Sequence, residues 1–175
     1  MSLKKIFVVL FSVLVLASGC SAKAPASKNA SKHMLAMDTV MKKALGDSIC
    51  DIIQNAKKID IVSLPLMGDS VKTVTSKKVN AKSFELVKFI VTNPKNYLAD
   101  TKVYGVFSPQ IKMALTLKKA TVNLKYDFGL GKWGVFDAAD KEIAMFDLNS
   151  DDMLRFACME FPANKFLWQL YSPKK

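Results

Sequence analysis

Apolar and polar positions divide this 175-residue chain into three regimes. An apolar run opens it, a small polar stretch follows, and from residue 34 apolar residues recur at helical or strand spacing. Met34, Met37, Met41, Ala44 and Leu45 share a helical face, with Val40 beside them, and Gly46 is a suitable stop. Ile49, Ile52, Ile53 and Ala56 repeat the spacing after Asp47-Ser48, which reads as a cap. Ile59 to Leu64 reads as a strand ended by Pro65. Gly68, Asp69 and many Ser, Thr and Lys in 67–80 predict a loop, with a short edge strand around 71–74. Phe84, Val87, Ile90 and Val91 mark one helical face, Leu86 and Phe89 widen it, and Pro94 stops the helix.

The clearest pattern follows. Ile111, Met113, Leu115 and Leu117 alternate with polar or small residues, and so do Ala120, Val122, Leu124 and Tyr126. Period-two alternation means strands with one buried face. The Lys118-Lys119 break makes them a hairpin, and 133–137 with 142–147 form a second around Ala138-Ala139-Asp140. Asn149 or Ser150 then caps a helix bearing Met153, Leu154, Ala157 and Phe161, with Asp151 and Asp152 in its first turn. A last helix carries Phe166, Leu167, Leu170 and Tyr171. The expected class is α+β: an antiparallel four- to five-stranded meander with helices packed on one face.

Charge narrows the partners. The whole chain has 26 basic and 15 acidic residues, but five of the lysines precede residue 34. The remainder holds 21 basic residues, of which Arg155 is the only arginine. Nucleic-acid readers lean on the bidentate fork of arginine, so no nucleic acid is expected as partner. The excess of lysine fits solubility and attraction to anionic surfaces.

Catalytic chemistry finds little material. His33 is the only histidine and lies in the small polar stretch. That excludes Ser-His-Asp and Cys-His sites and a histidine zinc site in the body. Asp127-Phe128-Gly129 has the letters of a kinase metal-binding motif, but no glycine-rich phosphate loop or catalytic loop accompanies it. It reads as a strand end and turn, where the glycines permit positive φ. Asp127, Asp137, Asp140, Glu142, Asp147, Asp151 and Asp152 are candidates for an acid pair, and Asp137, Asp140 and Glu142 for a weak calcium site. They fall at turns and a helix start, where acids are ordinary. Methionines at helical spacing in 34–41 are core filler rather than metal ligands. No catalytic residue, metal or cofactor is expected.

Three cysteines occur, Cys20, Cys50 and Cys158. In an oxidising compartment Cys50 and Cys158 either pair, closing a loop worth up to ~4.7 kcal/mol, or each serves as a small hydrophobe on a helix face. No CxxC is present, so a thioredoxin-like role has no basis.

Lys4-Lys5, the 12-residue run from Ile6 to Ala17, and Leu16-Ala17-Ser18-Gly19-Cys20 together have the layout of a cleaved secretory signal. The run is too short for a spanning helix, which needs about 20 apolar residues. The segment resembles the lipobox of bacterial lipoproteins, although that motif often has leucine where this chain has Ala17. The resemblance implies cleavage before Cys20, a thioether-linked diacylglycerol on it and an acyl group on its amine. Two or more chains give stable anchoring where one does not. The expected organisation is therefore a lipoprotein signal peptide over 1–19, lipidated Cys20 and a flexible tether over 20–33, and a single α+β domain over 34–175. Residues 21–33 are too polar and small to order themselves and reach at most ~45 Å. Ser21 rather than Asp follows Cys20; the resemblance then implies the outer membrane, with the domain facing the periplasm.

From residue 107 to 167 the chain also resembles an uncharacterised group of small bacterial lipoproteins. The matching pieces are Phe107-Ser108-Pro109, Tyr126-Asp127-Phe128-Gly129, Trp133, Leu154-Arg155-Phe156, Phe161-Pro162 and Lys165-Phe166-Leu167. In that group a cysteine often follows the aspartate, where this chain has Phe128. The resemblance implies a fold and a compartment, not an activity. The expected function is a membrane-anchored envelope lipoprotein acting as a non-catalytic binding or assembly module. It meets the membrane through its lipid, with an envelope protein or ligand as further partner; the alternative is a hydrolase with an Asp/Glu site.

Overall fold

Alternation at 111–126 becomes the centre of a six-stranded antiparallel sheet in the computed structural model, which describes residues 39–65, 74–97 and 105–172. Helix α1 (39–45) meets α2 (Asp47–Asn55) at Gly46. Strands β1 (Lys58–Ser63) and β2 (Thr75–Lys78) follow, then α3 (Ala81–Val91) and a 3-10 turn at Pro94–Tyr97. The meander is β3 (Ile111–Leu117), β4 (Ala120–Asp127), β5 (Lys132–Phe136) and β6 (Glu142–Asp147). Helices α4 (Asp152–Glu160) and α5 (Lys165–Tyr171) close the order. Cys20, the tether and His33 lie outside the described residues, as do Met34, Met37 and 71–73.

The α+β class and the four-strand meander agree with the sequence reading. The strand count differs: six strands run in the order β2-β1-β3-β4-β5-β6. β1 pairs antiparallel with both β3 and β2, joining Ile61 to Met113 on one side and to Lys77 on the other. The edge strand expected around 71–74 lies almost wholly outside the described residues, and β2 is seen just after it. All four of its residues, Thr-Ser-Lys-Lys, are exposed, so no buried face stamps a pattern on it. Its ladder bonds to β1 define it instead.

Helix ends also differ from expectation. α2 starts from Gly46 at φ 78°, with no side-chain cap from Asp47 or Ser48. The N-cap of α4 is Asp151, which makes no side-chain cap bond, rather than Asn149 or Ser150. Asn149 instead donates to the carbonyls of Lys95 and Asp147, tying the 3-10 turn to the end of β6. The side-chain caps that do form come from asparagines. Asn164 Oδ1 accepts from the N–H groups of Phe166 and Leu167, and Asn80 Oδ1 from Ser83.

Register gives the sheet two unlike faces. Ile61, Met113, Leu124 and Val135 lie in one row. Ile111, Tyr126, Trp133 and Phe146 lie in another. Both rows belong to one buried cluster with Met41, Leu45, Ile53, Val87, Ile90, Met153, Ala157 and Leu167 from the helices. Val87, Ile90 and Val91 of α3 are buried as expected, but Leu86 and Phe89 are exposed. The apolar face of α3 is therefore narrower than the sequence suggests. At the centre Trp133 stacks on Tyr126 at 5.5 Å and 7°, meets Tyr97 edge-on at 5.3 Å, and lies 5.0 Å from Phe146. Its indole N–H donates to the Asn96 carbonyl at 2.9 Å, so the polar edge is satisfied in the dry interior.

The opposite face is mixed. Gly134 sits there beneath Met145 and Phe136, and a Cβ on it would collide with both side chains. Phe136 stacks on Phe107, and the Lys125 ammonium stands 4.3 Å above the Phe136 ring.

Candidate functional site

Carboxylates decide first whether the chain holds an acid-based site. Asp127 ends β4 and is buried. Its Oδ2 accepts from the Ser108 N–H at 2.7 Å, and its Oδ1 from the Leu130 N–H at 2.9 Å and the Gln110 side-chain amide at 3.4 Å. Gln110 Oε1 in turn accepts from the Phe128 N–H at 2.7 Å. This closed set of bonds holds the turn after β4 against the strand entering β3. Gly131 takes a φ of 70° in that turn, as the Phe-Gly-Leu-Gly run leads one to expect. Asp127 is a fastener with its oxygens spoken for.

The remaining candidates are dispersed. Asp137 Oδ1 accepts from the N–H groups of Ala139 and Lys141, which closes the β5–β6 turn. Asp140 crosses to the mixed face and meets Lys112 at 3.0 Å, Lys125 at 3.4 Å and the Asn123 amide at 2.8 Å. Asp147 pairs with the buried Lys132 at 2.6 Å. Glu142, Asp151 and Asp152 are exposed. Asp137, Asp140 and Glu142 therefore do not converge as a calcium site. Among the described residues no group of three His, Cys, Asp or Glu side chains is arranged to hold a metal ion.

Asp140 has a measurable electrostatic role. Burial works to raise its pKa, but hydrogen bonds and charge from Lys112, then Lys125, outweigh that and hold it below the ordinary carboxylate value. A lowered folded-state pKa contributes stability above the unfolded value of about 4, and that stability is lost as pH falls through the folded value. Asp140→Asn retains a residue that tolerates the φ of 64°. The variant is expected to melt below the parent at neutral pH, with the gap closing below about pH 4. The side chain is 45% exposed, so solvent screening keeps the effect to about 1 kcal/mol or less. A gap of constant size across a pH series of melting curves would remove the electrostatic explanation.

Cys50 and Cys158 are both buried, in α2 and α4. α3 packs against both helices, and each cysteine belongs to the core cluster as a small hydrophobe. Burial pushes the Cys158 thiol up, which disfavours the nucleophilic thiolate.

The structure does assemble one site that spacing did not reveal. An open cleft of about 710 Å³ lies where the end of β1, β2 and the α4–α5 turn meet. Its walls are Leu64, Pro65, Phe161, Pro162 and Phe166, with polar points at Ser63, Thr75, Lys77, Gln110, Glu160, Asn164 and Lys165. Asn164 donates to Ser63 Oγ at 2.9 Å, joining residues 101 apart in sequence. Lys77 donates to the Glu160 carbonyl and reaches its carboxylate at 3.2 Å. It also stands 5.5 Å from the centre of the Phe161 ring. Glu160 closes the set by accepting from Ser83 at 3.4 Å. Apolar walls with a few fixed polar groups suit binding of a ligand more than bond-breaking. A second hollow, of about 600 Å³, lies beside Phe84 and is lined by Lys57, Lys58, Lys78, Lys88 and Glu85.

None of the cleft residues announces itself in the sequence. Phe161-Pro162 and Lys165-Phe166 are the nearest signal, because two apolar-polar turns flank a proline between helices. No helix among the described residues is long and apolar enough to cross a membrane. No protein-family model, curated protein or solved structure matches this chain.

Proposed function

We propose that this chain is a lipid-anchored module of a bacterial cell envelope that binds a ligand or partner without transforming it. Cys20 carries the lipid, the outer membrane holds it, and the body faces the periplasm. The charged start, short apolar run, small residues and cysteine support the anchor. The observation that carries the binding role is the β1–β2–α4 cleft, whose apolar walls surround Lys77, Glu160 and Asn164. The hydrolase alternative gains nothing from the geometry. Among the described residues Asp127, Asp137, Asp140, Asp147 and Glu160 are each engaged by lysines, amides or a hydroxyl.

Cys20→Ser is expected to leave the precursor uncleaved and without label when cells are fed radioactive palmitate, whereas the parent is labelled and cleaved. A labelled, processed variant would sink the anchor. For the cleft, a photo-crosslinking residue in place of Lys165, on the exposed rim, is expected to trap one discrete adduct in intact cells. A clean failure to trap anything would sink the binding role.

A further inference from the structure

The antiparallel pairing of β1 with β2 brings two lysine doublets to one end of the sheet, Lys57-Lys58 at the start of β1 and Lys77-Lys78 at the end of β2. The Lys57 N–H donates to the Thr116 carbonyl and the Val79 N–H to the Ile59 carbonyl, both at 2.9 Å, which holds the two ends side by side. Register then separates the second doublet. Lys77 lies opposite Ile61 and is engaged by Glu160, whereas Lys78 lies opposite Asp60. α3 begins at Ala81, with Asn80 Oδ1 accepting from the Ser83 N–H at 2.9 Å. Its first turns carry Phe84 and Lys88, four residues apart and so on one helical face, to the same place.

These ends surround the second hollow, of about 600 Å³. Its floor is apolar: Ala56 and Ile59 are fully buried and Val79 nearly so. Phe84 is a half-buried wall. Lys57, Lys58, Lys78 and Lys88 stand around it, and Glu85 is the one acid among the described lining residues. Asp60 meets Lys58 at 2.5 Å from outside the lining, and the exposed Glu85 is 4.0 Å from Lys88. Among the described residues no carboxylate forms an ion pair with Lys57 or Lys78. The positive excess is therefore local to the hollow. Lys88 is held in place, its side chain 20% exposed and its ammonium 5.0 Å from the centre of the Phe84 ring. Ammonium groups gathered round one space repel one another, and an anion between them relieves that.

The donor type selects the anion. Each ammonium is a compact point charge with three donors and no preferred plane, so converging lysines suit the tetrahedral oxygens of a phosphate. Planar carboxylates are better matched by a guanidinium fork, and Arg155, the only arginine, is not in the lining. The volume falls in the range of small-ligand sites and leaves room beyond a phosphate. Phe84 and the apolar floor give an attached organic group a surface to rest on.

We propose that the hollow between the start of β1, the end of β2 and α3 binds a phosphate monoester, its phosphate among Lys57, Lys58, Lys78 and Lys88 and its organic part against Phe84. This is a second site. It shares no lining residue with the β1–β2–α4 cleft, and it does not depend on a lipid at Cys20.

Full-length protein in detergent is titrated with phenyl phosphate and followed by its amide resonances. Saturable shifts in the millimolar range are expected at Lys57, Lys58, Val79 and Phe84, weaker ones at the same residues with inorganic phosphate, and none with benzoate. Lys57→Gln with Lys78→Gln is expected to weaken binding about tenfold or more. Both side chains are exposed, so the pair leaves the core intact. Lys141→Gln with Lys165→Gln removes the same charge at exposed positions outside the hollow and is expected to leave the affinity within about twofold. Equal weakening by the two pairs would overturn the site in favour of diffuse charge. Shifts centred on Lys77 and Asn164 would put the ester in the cleft and overturn it as well, and so would an equal response to benzoate or no response to phenyl phosphate. The same group reaches an envelope protein as a soluble ester or as a lipid headgroup. Tighter binding of glycerol 3-phosphate from solution supports the proposal with a soluble ligand, and tighter binding of phosphatidic acid in the micelle supports it with a headgroup.

Discussion

Trp133→Ala is expected to come close to unfolding the protein. The substitution empties the centre of a cluster formed by Tyr97, Tyr126, Trp133 and Phe146, whose ring centres lie 5.0–5.5 Å from the indole. It also removes the donor to the Asn96 carbonyl, which is then buried without that partner. Large-to-small changes of this type cost about 3–5 kcal/mol, against a total stability of about 5–15 kcal/mol for a natural domain. The urea midpoint should fall by about a fifth at the least, and in a domain at the low end of that range the folded baseline should vanish. Trp133→Phe keeps most of the ring contacts and loses the hydrogen bond, so its cost should be closer to 1–3 kcal/mol, about that of one orphaned acceptor with some lost packing. A loss below about 1 kcal/mol for the alanine variant would show that the cluster is not the keystone of the sheet.

The second large effect is expected at Asp127. Asp127→Ala deprives the Ser108 and Leu130 N–H groups and the Gln110 amide of an acceptor at once. Each orphaned buried donor costs about 1–3 kcal/mol, reduced where water enters the turn. A loss of about 2–4 kcal/mol is expected in chemical denaturation, with faster hydrogen exchange confined first to Ser108 and Leu130. Asp127→Asn keeps one acceptor oxygen and should fall between the two. Unchanged exchange at Ser108 and Leu130 in Asp127→Ala would dissolve the fastener described above. Both positions have jobs inside the fold.

What the sequence made legible was whatever repeats locally. β3 and β4 show themselves because Ile111 to Tyr126 alternates against a single core, and period two cannot be mistaken over that length. β2 does not, because an exposed edge strand has no buried side to mark it. The caps of α2 and α4 were misplaced because Asp, Ser and Asn near a helix start look alike in sequence, while the chosen residue depends on the path of the incoming chain. Leu86 and Phe89 widen the helical face on paper because periodicity counts apolar residues without knowing where the neighbouring helix stops. The cleft was invisible for a different reason. Ser63, Lys77, Gln110, Glu160 and Asn164 come from four stretches of chain, and only the antiparallel joining of β1 to both β2 and β3 gathers them. Asp127 reads as a strand end before a turn, and β4 does end there; its partners Ser108 and Gln110, 19 and 17 positions earlier, carry no local signal.

The modest strand β2 has a consequence for life at high density. It ends the sheet with only four residues, and Lys77 and Lys78 stand next to each other there. Open sheet margins invite neighbouring copies to zip together, and a brief margin that carries lysines discourages it. Copies held on one leaflet by the proposed anchor would meet often, since confinement raises their effective concentration. A margin so abbreviated and so cationic lets such a crowd remain a population of individuals instead of a growing fibre.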